Sequence, residues 1–129
     1  MGCNKLTNGA KVWYFPDGYL PEKVNQGKME SHEALVLLNM HEITAEIFLD
    51  FYFEDKPPVK DIKINIQQER VLCVRLDHPD EIGGLVIPPL CQYSIRVRSN
   101  VTIVAQFGRL DATQPNLAYY TTMGFFENA

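Results

Sequence analysis

Hydrophobic and polar residues alternate along most of this chain, and no long stretch repeats them every three or four positions. From Ile43 to Phe53 every odd position is apolar, whereas the even positions include Thr44, Glu46 and Asp50. A period of two places alternate side chains on opposite faces of a strand, whereas a helix would scatter them around its circumference. This segment is therefore predicted to be a β-strand with one buried face.

Seven other segments are predicted strands: residues 11–15, 34–39, 62–66, 70–76, 91–97, 101–107 and 118–122. Turn-forming residues separate several of them, including Pro16-Asp17-Gly18, Gly83-Gly84, Pro88-Pro89 and Ser99-Asn100. About eight short strands joined by such turns predict an all-β fold, an antiparallel β-sandwich or jelly roll.

The length of 129 residues suits one domain, which we expect to span residues 1–129. Residues 1–10 and 124–129 are expected to be flexible tails. Residues 20–31 and 77–90 are expected to be two long loops, and long loops often carry function.

Composition and charge narrow the function classes. Hydrophobic residues make up 46% of the chain and charged residues 22%, which is typical of a globular protein and excludes a disordered one. The formal net charge of −4 disfavours general binding to DNA or RNA.

The location is predicted from what the sequence lacks. No apolar run approaches the roughly 18 residues of a membrane span, and no signal-peptide pattern is present. Three cysteines without a CxxC pair favour a reducing compartment over a disulfide-bonded scaffold. We therefore expect a cytoplasmic protein that does not insert into a membrane.

Catalytic motifs are missing. The histidines His32, His41 and His78 form no HExxH motif, and neither GxSxG nor a phosphate-binding loop occurs. Cys91 falls on the apolar side of its predicted strand, which favours a small buried side chain over a nucleophile. We expect no enzymatic reaction, no metal and no cofactor.

One stretch is basic. Between Cys91 and Leu110 there are three arginines, Arg96, Arg98 and Arg109, and no acidic residue. Two interpretations stay open: a solvated strand face, or a patch for an anionic ligand such as DNA, because the guanidinium offers a bidentate fork.

Five segments in this order resemble the sensory rhodopsin transducer family, small microbial proteins named for a partner of a light-sensing membrane rhodopsin. The resemblance runs from about Val12 to Phe125, and it rests on these segments: Asp17-Gly18-Tyr19-Leu20-Pro21, Ser31-His32-Glu33-Ala34, Leu38-Asn39, Tyr52-Phe53-Glu54-Asp55-Lys56-Pro57-Pro58 and Ile103-Val104-Ala105-Gln106-Phe107-Gly108-Arg109-Leu110-Asp111.

The resemblance implies an all-β sandwich, similar to carbohydrate-binding modules, that assembles as a homotetramer. It implies a cytoplasmic protein without established enzyme activity. It also implies two partners, since the founding member is associated with rhodopsin signalling and with DNA.

The resemblance also points to particular residues. The family's recurrent polar positions correspond here to Ser31, His32, Glu33, Asn39, Gln106, Arg109 and Asp111. Relatives tend to carry histidine where this chain has Cys73 and Phe107. A metal site that used those histidines with His32 would therefore be incomplete here, unless the Cys73 thiolate replaced one ligand.

A ligand site is expected at His32, Glu33, Gln106, Arg109, Asp111 and Trp13. Polar groups of this kind suit a sugar or another polyol, and an exposed Trp13 ring could stack on a pyranose. The alternative is structural: the polar side chains would pair with one another, and Trp13 would lie in the core or at a subunit interface.

Four hypotheses follow. The first is a non-catalytic ligand-binding or signalling adaptor that senses a small polar metabolite such as a carbohydrate. The second is a partner that docks to a membrane photoreceptor. The third is a DNA-binding regulator that uses the arginine stripe. The fourth is a sugar-active enzyme with Glu33 and Asp111 as its carboxylate pair.

Overall fold

Eight antiparallel strands form the framework of the chain in a computed structural model that describes residues 6–23 and 29–128. The elements are β1 (Ala10–Tyr19), β2 (His32–Asn39), β3 (Ala45–Phe53), β4 (Val59–Ile66), β5 (Arg70–Arg75), a 3₁₀ turn (Pro79–Glu81), β6 (Gln92–Asp111), β7 (Ala118–Met123) and β8 (Phe125–Glu127). The predicted all-β antiparallel fold is confirmed.

The longest strand, β6, belongs to two sheets. Its first half pairs with β3 and β1, which gives a first sheet in the order β4-β3-β6-β1-β8. Its second half pairs with β2 and β7, which gives a second sheet in the order β5-β2-β6-β7. The two sheets are thus joined through a shared central strand.

The core lies between the inner faces of these sheets. On β6 the odd positions Tyr93, Ile95 and Val97 are buried in the first half, and Ile103, Ala105 and Phe107 are buried in the second half. Both sets join one hydrophobic cluster with residues of β1, β2 and β3. Period-two burial on both sheets produces the sandwich-like arrangement that the alternation predicts.

Strand β6 bends where it passes between the sheets. Ala10 and Val12 of β1 lie opposite Ile103 and Arg98 of β6, so residues 99–102 bulge out of the β1 pairing. An insertion of this kind bends the strand that carries it.

The bend folds the two halves of β6 toward each other. Tyr93 and Arg109 both contact Glu33, although a straight strand would place them about 50 Å apart. A turn at Ser99-Asn100 was predicted to separate two strands. This prediction is wrong, because β6 runs through these residues and pairs with β3 up to Ser99 and with β2 from Val104 onward. The chain does change direction there.

A second predicted turn, Pro16-Asp17-Gly18, lies inside β1 as an irregularity. Phe15 pairs with Ile95 and Gly18 with Tyr93, so one extra residue is accommodated on β1. A Cβ at Gly18 would lie 2.5 Å from the Tyr93 ring. Glycine is required here by the close approach of that ring.

The C-terminal segment is not the tail that we expected. Phe125–Glu127 forms β8 and pairs with Val12, Trp13 and Tyr14 of β1. The Phe126 ring packs 5.2 Å from the Trp13 ring, and this contact holds the segment on the sheet. The expectation of a flexible tail is therefore wrong for these residues, whereas residues 1–5 and 129 lie outside the described part.

The two long loops are described to different extents. Residues 24–28 of the first loop lie outside the described residues. The second loop contains the 3₁₀ turn and is anchored by the buried side chains of Ile82 and Ile87. Cys91 at its end is exposed, so the expected burial of this thiol is wrong, because β6 begins only at Gln92.

Among the residues that the structure describes, no helix is long and apolar enough to cross a membrane.

Candidate functional site

A carboxylate without exposed surface, Glu33, lies between the two sheets. Its Oε1 accepts a hydrogen bond from the Tyr93 hydroxyl at 2.5 Å. Its Oε2 accepts hydrogen bonds from the Arg109 Nε at 2.8 Å and from the Tyr19 backbone N–H at 3.0 Å. Both oxygens of this buried carboxylate are therefore paired, as a buried charge requires.

Strand register brings these groups together. Glu33 is the second residue of β2 and lies directly opposite Arg109 of β6. Tyr93 comes from the other half of β6, in the first sheet. The Glu33 network therefore joins the two sheets by polar contacts.

The Arg109 guanidinium is held on several sides. Its Nη2 donates to the Asp17 backbone carbonyl at 3.0 Å and lies 3.7 Å from the Asp17 carboxylate. Its carbon Cζ lies 5.1 Å from the centre of the Tyr120 ring, at cation–π distance. Such an arginine is oriented before any ligand arrives.

The electrostatics favour the protonated forms of Arg109 and Tyr93. Burial acts to lower the pKa of Arg109, but the hydrogen bond and charge of Glu33 outweigh it and raise that pKa. Burial, followed by the charge and hydrogen bond of Glu33, raises the pKa of Tyr93. Tyr93 therefore remains a protonated donor at neutral pH.

A cleft of about 300 Å³ opens beside Arg109. This polar cleft, as we name it, is lined by Tyr19, Pro21, Glu22, Leu90, Arg109, Asp111 and Thr113. It presents an arginine, carboxylates and a tyrosine ring to whatever enters.

Asp111 supplies an acceptor in the polar cleft. Its Oδ1 accepts hydrogen bonds from the Thr113 N–H at 2.9 Å and from the Thr113 hydroxyl at 2.5 Å. These bonds lower the pKa of Asp111, so the carboxylate is ionised at neutral pH.

The structure brings together three of the residues expected at a ligand site. Glu33, Arg109 and Asp111 lie in or directly behind the polar cleft. His32 and Gln106 do not line it. Each is an odd number of positions from Glu33 or Arg109 along its strand, and therefore faces the other side of its sheet. The His32 Nδ1 instead lies 2.9 Å from the Glu30 carbonyl oxygen.

Trp13 is a core residue. Its side chain is 4% exposed, and its Nε1 donates to the carbonyls of Ala10 and Ile103, each at 3.1 Å. The expectation that this ring stacks on a sugar is therefore wrong, because the ring offers no open face.

Two of the three arginines in the predicted stripe are engaged elsewhere. Asp50 has no exposed surface and accepts hydrogen bonds from Arg96 Nε at 2.9 Å and from Arg98 Nε and Nη2, both at 2.8 Å. Burial acts to raise the pKa of Asp50, but these bonds and the Asp61 N–H lower it to about 2. Arg109 lies in the other half of β6, so the three guanidiniums do not form one free cationic stripe.

The geometry does not suit the hypothesis of a sugar-active enzyme. Glu33 is sealed from solvent and its carboxylate oxygens are engaged by Tyr93, Arg109 and the Tyr19 N–H. A general acid or base must reach its substrate directly or through one water molecule.

The residues discussed for a metal site are dispersed. Cys73 is exposed on β5, whereas Phe107 is buried in the core. Within residues 6–23 and 29–128, no group of three or more His, Cys, Asp or Glu side chains could hold a metal ion.

Comparison with known proteins decides the family. The family model described as Anabaena sensory rhodopsin transducer matches residues 8–126 of the chain. The chain belongs to this family. The resemblance predicted from the five sequence segments is thus confirmed.

Two solved structures are similar to the chain over most of their length. A crystal structure of Thermotoga maritima 1070 is 40% identical with a TM-score of 0.83, and the match covers 94% of this chain and 97% of that one. The structure titled Anabaena sensory rhodopsin transducer is 31% identical with a TM-score of 0.69, and the match covers 85% of this chain and 96% of that one. None of the curated proteins matches the chain.

Sequence reasoning missed Tyr93, which completes the Glu33 network. The available signal was its place on the apolar face of a predicted strand. A buried tyrosine hydroxyl requires a hydrogen-bond partner, and a buried glutamate is a suitable one. The sequence separation of 60 residues hid the pairing.

Proposed function

We propose that this protein is a non-catalytic, transducer-like adaptor that binds a small polar ligand in the polar cleft. The observation that carries the proposal is the buried Glu33–Arg109 pair, which holds a charged, oriented donor at the wall of that cleft. A ligand that meets a preorganised donor loses less entropy on binding than one that must order it.

The chemistry of the lining favours a polyol such as a sugar. Hydroxyl groups need donors and acceptors together, and Arg109 and Asp111 supply one of each. The Tyr19 side chain is 38% exposed and offers an aromatic surface for the apolar face of a sugar ring. The volume of about 300 Å³ lies at the small end of ligand sites.

The signalling part of the proposal rests on the family. A neighbour with a TM-score of 0.69 is titled Anabaena sensory rhodopsin transducer, which supports a membrane photoreceptor as the receptor class. In this proposal the protein acts in the cytoplasm as a single-domain subunit of a homotetramer, and ligand binding modifies its docking to the receptor.

The test is thermal unfolding of the purified protein with neutral monosaccharides, sugar phosphates and nucleotides. A ligand that binds only the folded state at ten times its Kd stabilises it by about 1.4 kcal/mol, which raises Tm by several degrees. We expect a dose-dependent shift with the neutral sugars.

Two variants assign that shift to the polar cleft. Asp111→Asn removes the charged acceptor. This variant should need at least ten times more ligand to reach the same shift in Tm. Asp80→Asn changes an exposed carboxylate outside the cleft and should leave the shift unchanged. A flat response to every ligand, or an equal shift in Asp111→Asn, would overturn the assignment of the site.

A further inference from the structure

Three neighbouring strands of the first sheet have their ends close to the polar cleft. Strands β1 and β3 run antiparallel to β6 on either side of it, so Tyr19 and Phe53 at their ends flank the first residues of β6. Two strand spacings separate β1 from β3, which is roughly 10 Å. The edge of the sheet therefore continues from Tyr19, which lines the polar cleft, to Phe53, which does not.

A second cleft of about 370 Å³ opens along this edge. It shares two wall residues with the polar cleft, Tyr19 and Leu90, so the two clefts lie on either side of these side chains. We name it the second cleft, and its other main lining residues are Phe53, Glu54, Asp55, Lys56 and Gln92. Each cleft alone lies at the lower end of the size range of ligand sites, whereas the two together fall well inside it.

The wall between the clefts is held in place. The Leu90 N–H donates to the Leu20 carbonyl at 2.9 Å, and the Tyr19 N–H donates to the buried Glu33 carboxylate at 3.0 Å. Leu90 has a positive φ of 61°, a conformation that a bulky residue keeps only where its surroundings hold it. Both side chains remain exposed, Tyr19 by 38% and Leu90 by 52%, so a ligand can lie across this wall.

One hydrogen-bond network runs along both clefts. At the polar cleft, Arg109 Nη2 donates to the Asp17 backbone carbonyl at 3.0 Å. The Asp17 Oδ1 in turn accepts a hydrogen bond from Gln92 Nε2 at 2.9 Å, and the same nitrogen donates to the Gly18 carbonyl at 3.0 Å. These bonds orient the Gln92 amide, which leaves its carbonyl oxygen as an acceptor at the second cleft. The preorganisation of Arg109 by Glu33 thus extends into the second cleft.

The charges of the two clefts follow the same pattern. Among the described lining residues, each cleft has one cationic side chain and two carboxylates: Arg109, Glu22 and Asp111 in the polar cleft, and Lys56, Glu54 and Asp55 in the second cleft. An anionic ligand would meet an excess of negative charge in both. A neutral ligand rich in hydroxyl groups would find donors and acceptors in both.

We infer that the ligand is a neutral oligosaccharide of at least two linked rings, with one ring in the polar cleft and the next in the second cleft across the wall of Tyr19 and Leu90. This inference rests on the proposed function and narrows its ligand class. A single hexose ring does not span the roughly 10 Å between the ends of β1 and β3, whereas two linked rings do. Once the first ring is bound, its linkage holds the second ring at a high effective concentration beside the second cleft.

The chain offers a matched pair of lysines for the test. Lys56 lines the second cleft, and its Nζ lies 4.4 Å from the centre of the Phe53 ring. Lys60 does not line either cleft, and its Nζ lies 5.9 Å from the centre of the Tyr52 ring. Both lysines are exposed and both lie over an aromatic ring, so removal of either side chain has a similar effect on the surface. Only Lys56→Ala removes a donor from the second cleft.

The experiment measures Kd by isothermal titration calorimetry for glucose, mannose and galactose and for their 1,4-linked dimers and trimers. We expect the Kd of the best dimer to be at least tenfold lower than that of its monosaccharide, and the trimer to gain little more. Lys56→Ala should weaken binding of the dimer by about tenfold and leave the monosaccharide unchanged, because a hydrogen bond to a charged group is lost. Lys60→Ala should change neither Kd, whereas Asp111→Asn should weaken both.

Each failure has a distinct meaning. Equal Kd values for monosaccharide and dimer would confine the ligand to the polar cleft, which overturns this inference and leaves the proposed function standing. An unchanged dimer Kd in Lys56→Ala, or an equal loss in Lys60→Ala, would mean that the second ring does not occupy the second cleft. Tighter binding of a phosphorylated dimer than of the neutral one would contradict the charge argument. Absence of binding by every sugar would overturn the inference and the proposed function together.

Discussion

The buried carboxylate of Asp50 should make this protein sensitive to acid in a calculable way. Asp50 is fully buried and is bound by Arg96, Arg98 and the Asp61 N–H. Its pKa is lowered to about 2 from the ordinary value of 3.8. Because the folded pKa lies below the unfolded one, the stabilisation is complete well above pH 3.8 and is lost as the pH falls toward 2.

The magnitude follows from the pKa difference. A shift from 3.8 to about 2 corresponds to about 2 kcal/mol at neutral pH. About half of this stabilisation should remain at pH 3, and only about 0.4 kcal/mol should remain at pH 2. The side chains of Arg96 and Arg98 are about a third exposed, so solvent screening makes these values upper estimates.

The assay compares urea unfolding of the wild type and Asp50→Asn at pH 7, 4, 3 and 2, at one protein concentration. The variant should be less stable at pH 7 by about 2 kcal/mol, and the gap should close as the pH falls. Asp80→Asn, a change at an exposed carboxylate, should show no such gap.

Two results would refute this reasoning. A gap between wild type and Asp50→Asn that stays constant from pH 7 to pH 2 would mean that ionisation of Asp50 is not its source. A gap that is absent at pH 7 would mean that desolvation of Asp50 cancels its bonds to the two arginines, as happens in some buried ion pairs.

Three further substitutions test the Glu33 network by urea unfolding. Gly18→Ala should lower the free energy of unfolding by about 1–3 kcal/mol, because the new Cβ would lie 2.5 Å from the Tyr93 ring. A variant as stable as the wild type would show that the ring moves freely. Glu33→Gln should lower the free energy of unfolding by about 3–5 kcal/mol, because it leaves the Arg109 charge without its partner. Tyr93→Phe removes one hydrogen bond to Glu33 and should lower it by only about 1.5–3 kcal/mol. Equal losses in the last two variants would contradict the ion-pair argument.

The strands were predictable wherever one face is buried. In the segment from Ile43 to Phe53, alternation identified β3 because Ile47, Leu49 and Phe51 all face the core. The same rule placed β2 and most of β6. Local turn chemistry also located the bend of β6, although the bend proved to be an insertion in a continuous strand.

The polar contacts were harder to predict because strand register decides them. The sequence shows Arg96 and Arg98 as a basic stripe, and only the pairing of β3 with β6 places Asp50 opposite Arg96. Register is set by long-range pairing, so a local pattern does not contain it. Asp50 engages both guanidiniums in an internal ion pair, so neither open interpretation, a solvated face or an anion-binding patch, describes them.

The candidate site was predictable in part for the same reason. Glu33, Arg109 and Asp111 were identified as a polar set, and β2–β6 pairing does bring the first two together. For Trp13 the sequence left two interpretations open, stacking on a sugar or a place in the core, and its burial and hydrogen bonds to Ala10 and Ile103 favour the core. Burial of a single tryptophan depends on which strands cover it, and here β8 contributes Phe126.

The shared strand β6 sets the order in which the nascent chain can fold. Before residue 92 leaves the ribosome, the pairs β3–β4 and β2–β5 can form, but β1 lacks its main partner and the two sheets have no common strand. Neither sheet can be completed until residue 111 has emerged, because β6 lies at the centre of both. Most of the polypeptide must therefore be synthesised with its apolar strand faces uncovered, and it is during this interval that the chain is most exposed to misassembly.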